Sequence, residues 1–351
     1  MNHILIIGGY GEVGQRTATH LLQQPETTVT LAGRNFGKAE SLAARLGPRA
    51  FPLQLDSNDL VAVRRALEPH PLIINCVDLR EVHLISESVQ RGLTLIDATA
   101  SYGFWQRVFT FQAQAVQNSA RILLGVGLIP GVVNVVAKAA HTALGSLARL
   151  ETSTRLSLSD AHGEAALAYV LAEVGQPYLF PGETNLERSF AKQKRVDFGG
   201  SPAHVWAYRF PFPSQFYYRE TLGAQASSWL ALEPAWTGTL LNVTVRLGGR
   251  SLLRSAWLKS LTHRLTPYLT KLPGSTSKFT VVVDAESAAE HRRYRLEGRY
   301  QSDATALSTV AMLAQLRTVS PQPGIWLPEQ WVEPERFFAD LADQGMVISA
   351  H

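Results

Sequence analysis

A glycine-rich turn and the arginine that follows it carry the clearest chemistry in this 351-residue chain. Ile7-Gly8-Gly9-Tyr10-Gly11-Glu12-Val13-Gly14 satisfies G-x-G-x-x-G through Gly9, Gly11 and Gly14. It also satisfies G-x-x-G-x-x-G through Gly8, Gly11 and Gly14. One glycine makes the tight turn, another lets the backbone approach a pyrophosphate, and Gly14 lets helix and strand pack closely. The phosphates would rest on the helix N-terminus, where free N–H groups and the helix dipole favour an anion. The turn follows a buried strand and opens an amphipathic helix, which is the context a dinucleotide site requires.

The end of the second strand selects the nucleotide. An acidic residue roughly 20 positions past the loop would hold the ribose diol of NAD. Ala32-Gly33-Arg34-Asn35 stands there instead, with Arg34 lying 20 residues after Gly14. A guanidinium suits a 2′-phosphate, because it pairs bidentately and stacks on adenine. Asn35 and Lys38 stand ready to assist. These residues predict NADP rather than NAD, against the alternative of a solvated surface arginine. Asp56 ends the third strand, where its carboxylate would accept from the adenine amino group; a simple helix-capping turn at Ser57 or Asn58 reads equally well. Asn75-Cys76-Val77 ends the fourth strand at the rim where the nicotinamide ribose lies in such sheets.

The elements that position these groups alternate regularly. Ile4–Ile7, Thr28–Leu31, Phe51–Leu55, Leu72–Val77, Leu93–Ile96 and Arg121–Leu124 read as buried strands, with helical spacing between them. This alternation predicts an open parallel sheet with helices on both faces. From Ala148 to Tyr300 the pattern changes. Strands are expected at Ala148–Ser157, Val205–Phe212, Leu240–Leu247, Phe279–Val283 and Arg292–Tyr300. Helices are expected at Gly163–Val174 and, less clearly, Ser251–Leu265. The fold class is therefore α/β, with a Rossmann doubly wound parallel sheet and an α+β second domain on a largely antiparallel sheet. Ala304–Leu316 and the tail Pro328–Gly345 read as helical again.

Composition sets the remaining bounds. Hydrophobic residues make up 46% and charged residues 18%, as in an ordinary globular protein. Cys76 is the only cysteine, so no internal disulfide forms; that fits a reducing compartment. The net charge of +4 is scattered, which favours small anionic ligands over nucleic acid. No basic n-region with a cleavage site and no long apolar run occur, so the expected location is the cytoplasm, off the membrane. No H-E-x-x-H or cysteine cluster points to a metal, no G-x-x-x-x-G-K-[ST] to an ATPase and no G-x-S-x-G to a hydrolase. No lysine has a tyrosine four residues before it, which argues against a tyrosine–lysine short-chain dehydrogenase.

Several segments resemble the saccharopine dehydrogenase-like NADP-dependent oxidoreductases. They are Ile4–Gly14, Ala32–Asn35, Gly125-Val126-Gly127-Leu128-Ile129-Pro130-Gly131, Asp303-Ala304-Thr305-Ala306, Pro323–Gln330, and Phe337-Phe338 before Leu341. Tyr218-Arg219-Glu220-Thr221-Leu222-Gly223 adds a point in the divergent middle. The resemblance implies a Rossmann domain over 1–130, an inserted α+β substrate and dimerisation domain over 131–300, and C-terminal helices over 301–351 that return to the Rossmann domain. It implies hydride transfer at a carbon–nitrogen centre of an amino-acid-like or polyamine-like small molecule, in a homodimer. It also implies that Gly127, Pro130 and Gly131 lie near the nicotinamide or a substrate carboxylate, with Asn134 on the following helical turn.

Catalytic candidates follow from position. Asp97 ends the fifth strand, and Tyr102 lies just beyond in an expected loop, Ala98–Trp105, suited to covering a ligand. In the second domain Asp160, His162 and Glu164 cluster before a helix, as a proton-transfer group or a capping box. Arg219 is a candidate for a substrate carboxylate, or a surface salt bridge. The dense aromatics from Trp206 to Tyr218 read as sheet and interface packing. A reductase of C=O or C=C bonds and a non-catalytic NADP(H) sensor stand as the alternatives.

Overall fold

The computed structural model describes residues 2–157, 169–200, 203–248, 278–319, 321–344 and 346–350. The chain divides into two compact units, one of residues 1–135 and 302–344 and the other of residues 136–301 and 345–351.

In the first unit the elements alternate: β1 (Asn2–Ile7), α1 (Glu12–Leu21), β2 (Thr27–Gly33), α2 (Phe36–Leu46), β3 (Ala50–Gln54), α3 (Leu60–Leu67), β4 (Leu72–Asn75), α4 (His83–Gln90), β5 (Thr94–Asp97), α5 (Tyr102–Phe109), α6 (Gln112–Gln117) and β6 (Arg121–Leu124). Helix α7 (Val133–Leu144) leads toward the second unit. The apolar runs that predicted strands are fully buried: Ile4, Leu5 and Ile6 are at 0% exposure. A strand covered on both faces gains from every side chain, which is why these runs are continuous rather than alternating.

Local chemistry sets the helix starts. Asn35 caps α2 by accepting from the Lys38 N–H at 3.0 Å. Asp59, not Ser57 or Asn58, caps α3, accepting from Val61 and Ala62 N–H at 2.9 and 3.1 Å. Ser101 caps α5 by accepting from Phe104 N–H. The expected covering loop at Ala98–Trp105 is thus only half a loop. The chain turns helical at Tyr102, and Trp105 is driven into the core at 0% exposure, its Nε1 donating to Thr99 O.

The strands of the second unit are β7 (Arg149–Ser157), β8 (Pro177–Tyr178), β9 (Glu187–Arg188), β10 (Gln193–Asp197), β11 (His204–Arg209), β12 (Gln225–Glu233), β13 (Lys278–Glu286), β14 (His291–Arg299) and, near the chain end, β16 (Val347–Ala350); β15 (Gly324–Trp326) belongs to the first unit. The first sheet runs β15-β6-β5-β4-β1-β2-β3 with every described pair parallel. This is the 3-2-1-4-5-6 order of dinucleotide-binding sheets, extended by β15. The second sheet runs β10-β11-β12-β7-β13-β14-β16 and is antiparallel except where β12 pairs with β7.

One expected strand is a helix. Leu240–Leu247 lies in the helix Ala235–Arg246, opened by Pro234 at its cap. The Val243-Thr244-Val245 run favours a strand by local propensity, but Thr237, Gly238, Asn242 and Val245 are buried on this helix. A Cβ on Gly238 would lie 2.5 Å from the Tyr208 ring, so this glycine lets helix and sheet close. Strands β8, β9, β10, β12, β15 and β16 were not expected from the sequence. Within Gly163–Val174 the described part is helical as far as Glu173; the candidates Asp160, His162 and Glu164, and the expected helix Ser251–Leu265, lie outside the described residues.

Candidate functional site: a dinucleotide cradle

Strand β1 delivers its glycines to the carboxyl edge of the first sheet. Gly8 has φ +77°, a left-handed conformation that disfavours any side chain. A Cβ on Gly9 would lie 2.8 Å from Leu31 Cα, and one on Gly14 only 2.3 Å from Gly8 O. These glycines are demanded by the fold itself. Gly11 differs, because a Cβ there would meet only Gly8 O at 3.1 Å and otherwise point into open space. Gly11 is also the cap of α1 and offers no side-chain hydrogen bond to it. Its missing side chain leaves room for a ligand at the start of α1, where Glu12 and Val13 begin the helix.

An open cleft of about 680 Å³ lies beside the turn, lined by Tyr10, Arg34, Asn35, Phe36, Lys38 and Gln54. The Tyr10 hydroxyl accepts from the Asn35 N–H at 3.1 Å. Its own proton is then free to point into the cleft. The Tyr10 ring lies so close to Gly33 that a Cβ there would be 2.4 Å from it, so Gly33 is the counterpart that seats this ring. Arg34 and Lys38 bring two cations to one opening, with a phenol between the glycine turn and them. Gln54 Nε2 donates to Arg34 O at 3.2 Å and holds the β2 exit. These donors suit a phosphate, and the cradle fits a phosphorylated dinucleotide. Phe36 and Gln54 were missed in the sequence; Gln54 ends β3 beside β2, a place that only strand pairing reveals.

Asp56 is exposed, and its Oδ1 accepts from both the backbone N–H and the side-chain amide of Asn58 at 3.0 Å. It does not line the cleft.

At the rim of β4 and β5 a buried polar network holds the candidates together. Asn75 and Asp97 are both at 0% exposure. Asn75 Nδ2 donates to Asp97 Oδ1 at 2.6 Å and to Val77 O at 2.7 Å. Asp97 also accepts from Thr99 Oγ1 at 2.9 Å and from Thr99 N–H. Burial pushes the Asp97 carboxyl up to about 7, against the opposing pull of the Asn75 and Thr99 hydrogen bonds. Cys76 beside them is a neutral thiol, pushed up to about 12 by burial, with Thr17 opposing. Tyr102 is half-buried and its hydroxyl accepts from Gln106 Nε2 at 3.1 Å. Thr99, which bonds to both Asp97 and Val77 O, carried no signal in the sequence.

The Gly127–Gly131 turn is buried. The Gly131 N–H, expected to face an anion, donates to Asn134 Oδ1 at 2.9 Å. Asn134 Nδ2 in turn donates to buried Glu329 Oε2 at 2.7 Å. Ser308 Oγ lies nearby, with 3.6 Å to a Cβ built on Gly131. Arg219 is exposed on the short helix Tyr218–Leu222 of the second unit. Among the described residues no group of His, Cys, Asp and Glu could hold a metal ion, and no helix is long and apolar enough to cross a membrane.

Comparison with known proteins decides the nature of the first unit. Residues 4–123 match the family model described as the saccharopine dehydrogenase NADP binding domain. This segment belongs to that domain family. Its cofactor is NADP. Among solved structures, the apo histidine-tagged saccharopine dehydrogenase (L-Glu forming) of Saccharomyces cerevisiae matches with a TM-score of 0.68 at 15% identity, covering 100% of this chain and 99% of that one. That likeness shows a shared fold. A DAP dehydrogenase of C. glutamicum, in complex with DAP, matches at a TM-score of 0.49 and 12% identity, over 98% of this chain and 99% of that one. No curated protein matches the chain.

Proposed function

We propose that this protein is an NADP-dependent oxidoreductase that exchanges a hydride with a carbon–nitrogen centre of an amino-acid-like or polyamine-like substrate. The observation that carries the cofactor half is the cleft at the end of β2, where Arg34, Lys38 and the Tyr10 hydroxyl converge beside a glycine turn with open space at Gly11. NADP, when bound, supplies the nicotinamide that gives or takes the hydride. The chain's own residues do the rest. Gly11 admits the pyrophosphate to the α1 N-terminus, Arg34 and Lys38 hold the 2′-phosphate, and the Asn75–Asp97–Thr99 network fixes the β4 and β5 exits that form the rim.

The reaction class rests on what the rim offers. Asp97 is fully buried and its oxygens already accept from Asn75 and Thr99, so it orients the rim rather than touching substrate. Without a tyrosine–lysine acid, a hydride acceptor that already carries positive charge is favoured, such as an iminium, which needs no strong protein acid. The saccharopine dehydrogenase that shares this fold supports an amino-acid-like substrate. A homodimer built on the second unit belongs to the same proposal; a monomer by light scattering at micromolar concentration would remove that part.

The test is a panel of amines, amino acids, aldehydes and 2-oxo acids, followed at the nicotinamide absorbance. NADPH oxidation is expected when an amine and a carbonyl compound are supplied together, and not with either alone. Turnover with simple carbonyls, with nothing gained from the amine, would move the assignment to a C=O reductase. NADPH binding without turnover on any pair would favour a sensor.

A further inference from the structure

The second unit contains a buried cation that the protein itself does not pair. Arg209 is the last residue of β11 and sits opposite Trp229 of β12. It is only 6% exposed. Its guanidinium lies against two rings, 4.7 Å from the Phe180 centroid and 5.5 Å from the Trp229 centroid. Its Nε is fully buried and makes no hydrogen bond, and among the described residues no carboxylate lies within ion-pair distance of the fork.

Three carboxylates act on Arg209 at longer range: Glu183, Glu187 and Glu151. Each has closer partners. Glu151 is bound by Lys194 and accepts from Trp229 Nε1 and Ser227 Oγ at 3.1 and 3.3 Å. Glu183 and Glu187 both pair with Lys192. Yet Glu187 Oε2 is buried without a hydrogen-bond partner. These six residues thus hold three acidic and three basic groups, with one buried orphan donor, Arg209 Nε, and one buried orphan acceptor, Glu187 Oε2, among them. A buried guanidinium with no short partner is costly, and desolvation holds it below its usual range. Such a group is retained where a ligand supplies the missing bonds.

We propose that Arg209 is the oxyanion anchor of a binding site in the second unit, and that its ligand is a zwitterion bearing a carboxylate and an ammonium, as an α-amino acid does. The carboxylate takes the guanidinium fork. The ammonium takes Glu187 Oε2. Phe180 and Trp229 hold the guanidinium plane, so the fork is oriented before the ligand arrives. A plain anion would unbalance a neighbourhood whose charges already cancel, whereas a zwitterion satisfies both orphans and adds no net charge. Arg219, the carboxylate candidate from the sequence, is exposed and has none of these features. Binding here does not depend on the oxidoreductase reading; naming the ligand as the substrate does rest on it.

The experiment uses the full chain and three probes sharing one side chain: norvaline, pentanoate, which lacks its ammonium, and butylamine, which lacks its carboxylate. Binding is followed by thermal unfolding and tryptophan emission, with NADP affinity measured separately by calorimetry. Norvaline is expected to bind saturably and at least about tenfold more tightly than either single-charge probe. In Arg209→Met that binding falls at least about tenfold while NADP affinity holds. Arg209→Met is also expected to unfold no earlier than the natural protein without ligand, because it removes an unpaired buried charge. Arg209→Lys keeps the charge and loses the fork, and is likewise expected to lose norvaline. Norvaline binding unchanged in both variants, pentanoate binding as well as norvaline, or no saturable binding to a chain that still binds NADP would each overturn the site. An NADP-binding failure alone would touch only the oxidoreductase reading.

Discussion

Asn75 and Asp97 face each other across neighbouring parallel strands, and the amide of one donates to the carboxyl of the other at 2.6 Å with neither exposed. The consequence is a pH-dependent rim. Burial raises the Asp97 carboxyl to about 7, while an unfolded aspartate titrates near ~3.9. Between those values the folded state holds a proton that the unfolded state has released, so stability falls as pH rises. The effect is fully present as stabilisation below the unfolded value and is lost as pH climbs through about 7. Asp97→Asn keeps an acceptor for Asn75 but cannot ionise. Thermal midpoints across that range should fall more steeply in the natural protein than in the variant; parallel curves would show that Asp97 does not titrate there.

The glycine turn separates fold from function. A Cβ at Gly14 would meet Gly8 O at 2.3 Å, a backbone atom with little freedom to move. Gly14→Ala should therefore destabilise by ~1–3 kcal/mol, the usual cost of forced overpacking. A Cβ at Gly11 would meet only Gly8 O, at 3.1 Å, with open space beyond it. Gly11→Val should therefore lower the melting temperature less than Gly14→Ala does and lose protection by NADPH. Equal protection of Gly11→Val would show that the pyrophosphate does not cross this turn.

Arg34 sets the nucleotide. Arg34→Asp removes charge-assisted bonds worth ~1.5–3 kcal/mol each and adds repulsion, so NADP affinity should drop by about tenfold or more. Tyr10→Phe removes one neutral donor and should cost less, while NAD binding should be nearly untouched by it. Calorimetric titration with both nucleotides distinguishes these effects. Equal NADP affinity in Arg34→Asp would place the 2′-phosphate elsewhere.

Much of this was legible in the chain. The strands β1, β2, β4, β5 and β6 declare themselves because a strand buried on both faces must be apolar throughout, and the glycine turn and Arg34 are contiguous motifs. What was hidden depends on distant partners. Gly324–Trp326 is too short to read as a strand until it pairs with β6. The Val-Thr-Val run at 243–245 favours a strand locally but is claimed by helix packing against Tyr208. Thr99 reads as an ordinary loop residue until it donates to Asp97. Arg209 stands among aromatics that read as packing. Only burial and the lack of a partner mark it out, and neither is encoded in sequence spacing.

The last prediction concerns the opposite edge of the first sheet. Thr30 Oγ1 lies 2.8 Å from His3 Nε2 and 2.9 Å from His70 Nε2, and His70 Nδ1 lies 2.6 Å from Ala66 O. A carbonyl only accepts, so His70 carries its proton on Nδ1. Its Nε2 then accepts from the Thr30 hydroxyl, and that oxygen accepts from His3 Nε2–H. In this relay His70 is neutral, and the two ring centroids are 4.4 Å apart. Burial lowers the pKa of each, and for His70 the neighbouring His3 adds to it while Ala66 opposes. An unfolded histidine titrates near ~6.5, so the stability these rings contribute is present above that value and lost as pH falls through the lower folded values. Thr30→Val leaves the buried His70 Nε2 without a donor and should cost ~1–3 kcal/mol above neutral pH. His70→Gln cannot titrate, so the acid limb of the thermal midpoint curve should flatten. An unchanged acid limb in His70→Gln would show that the relay is not what couples this fold to protons.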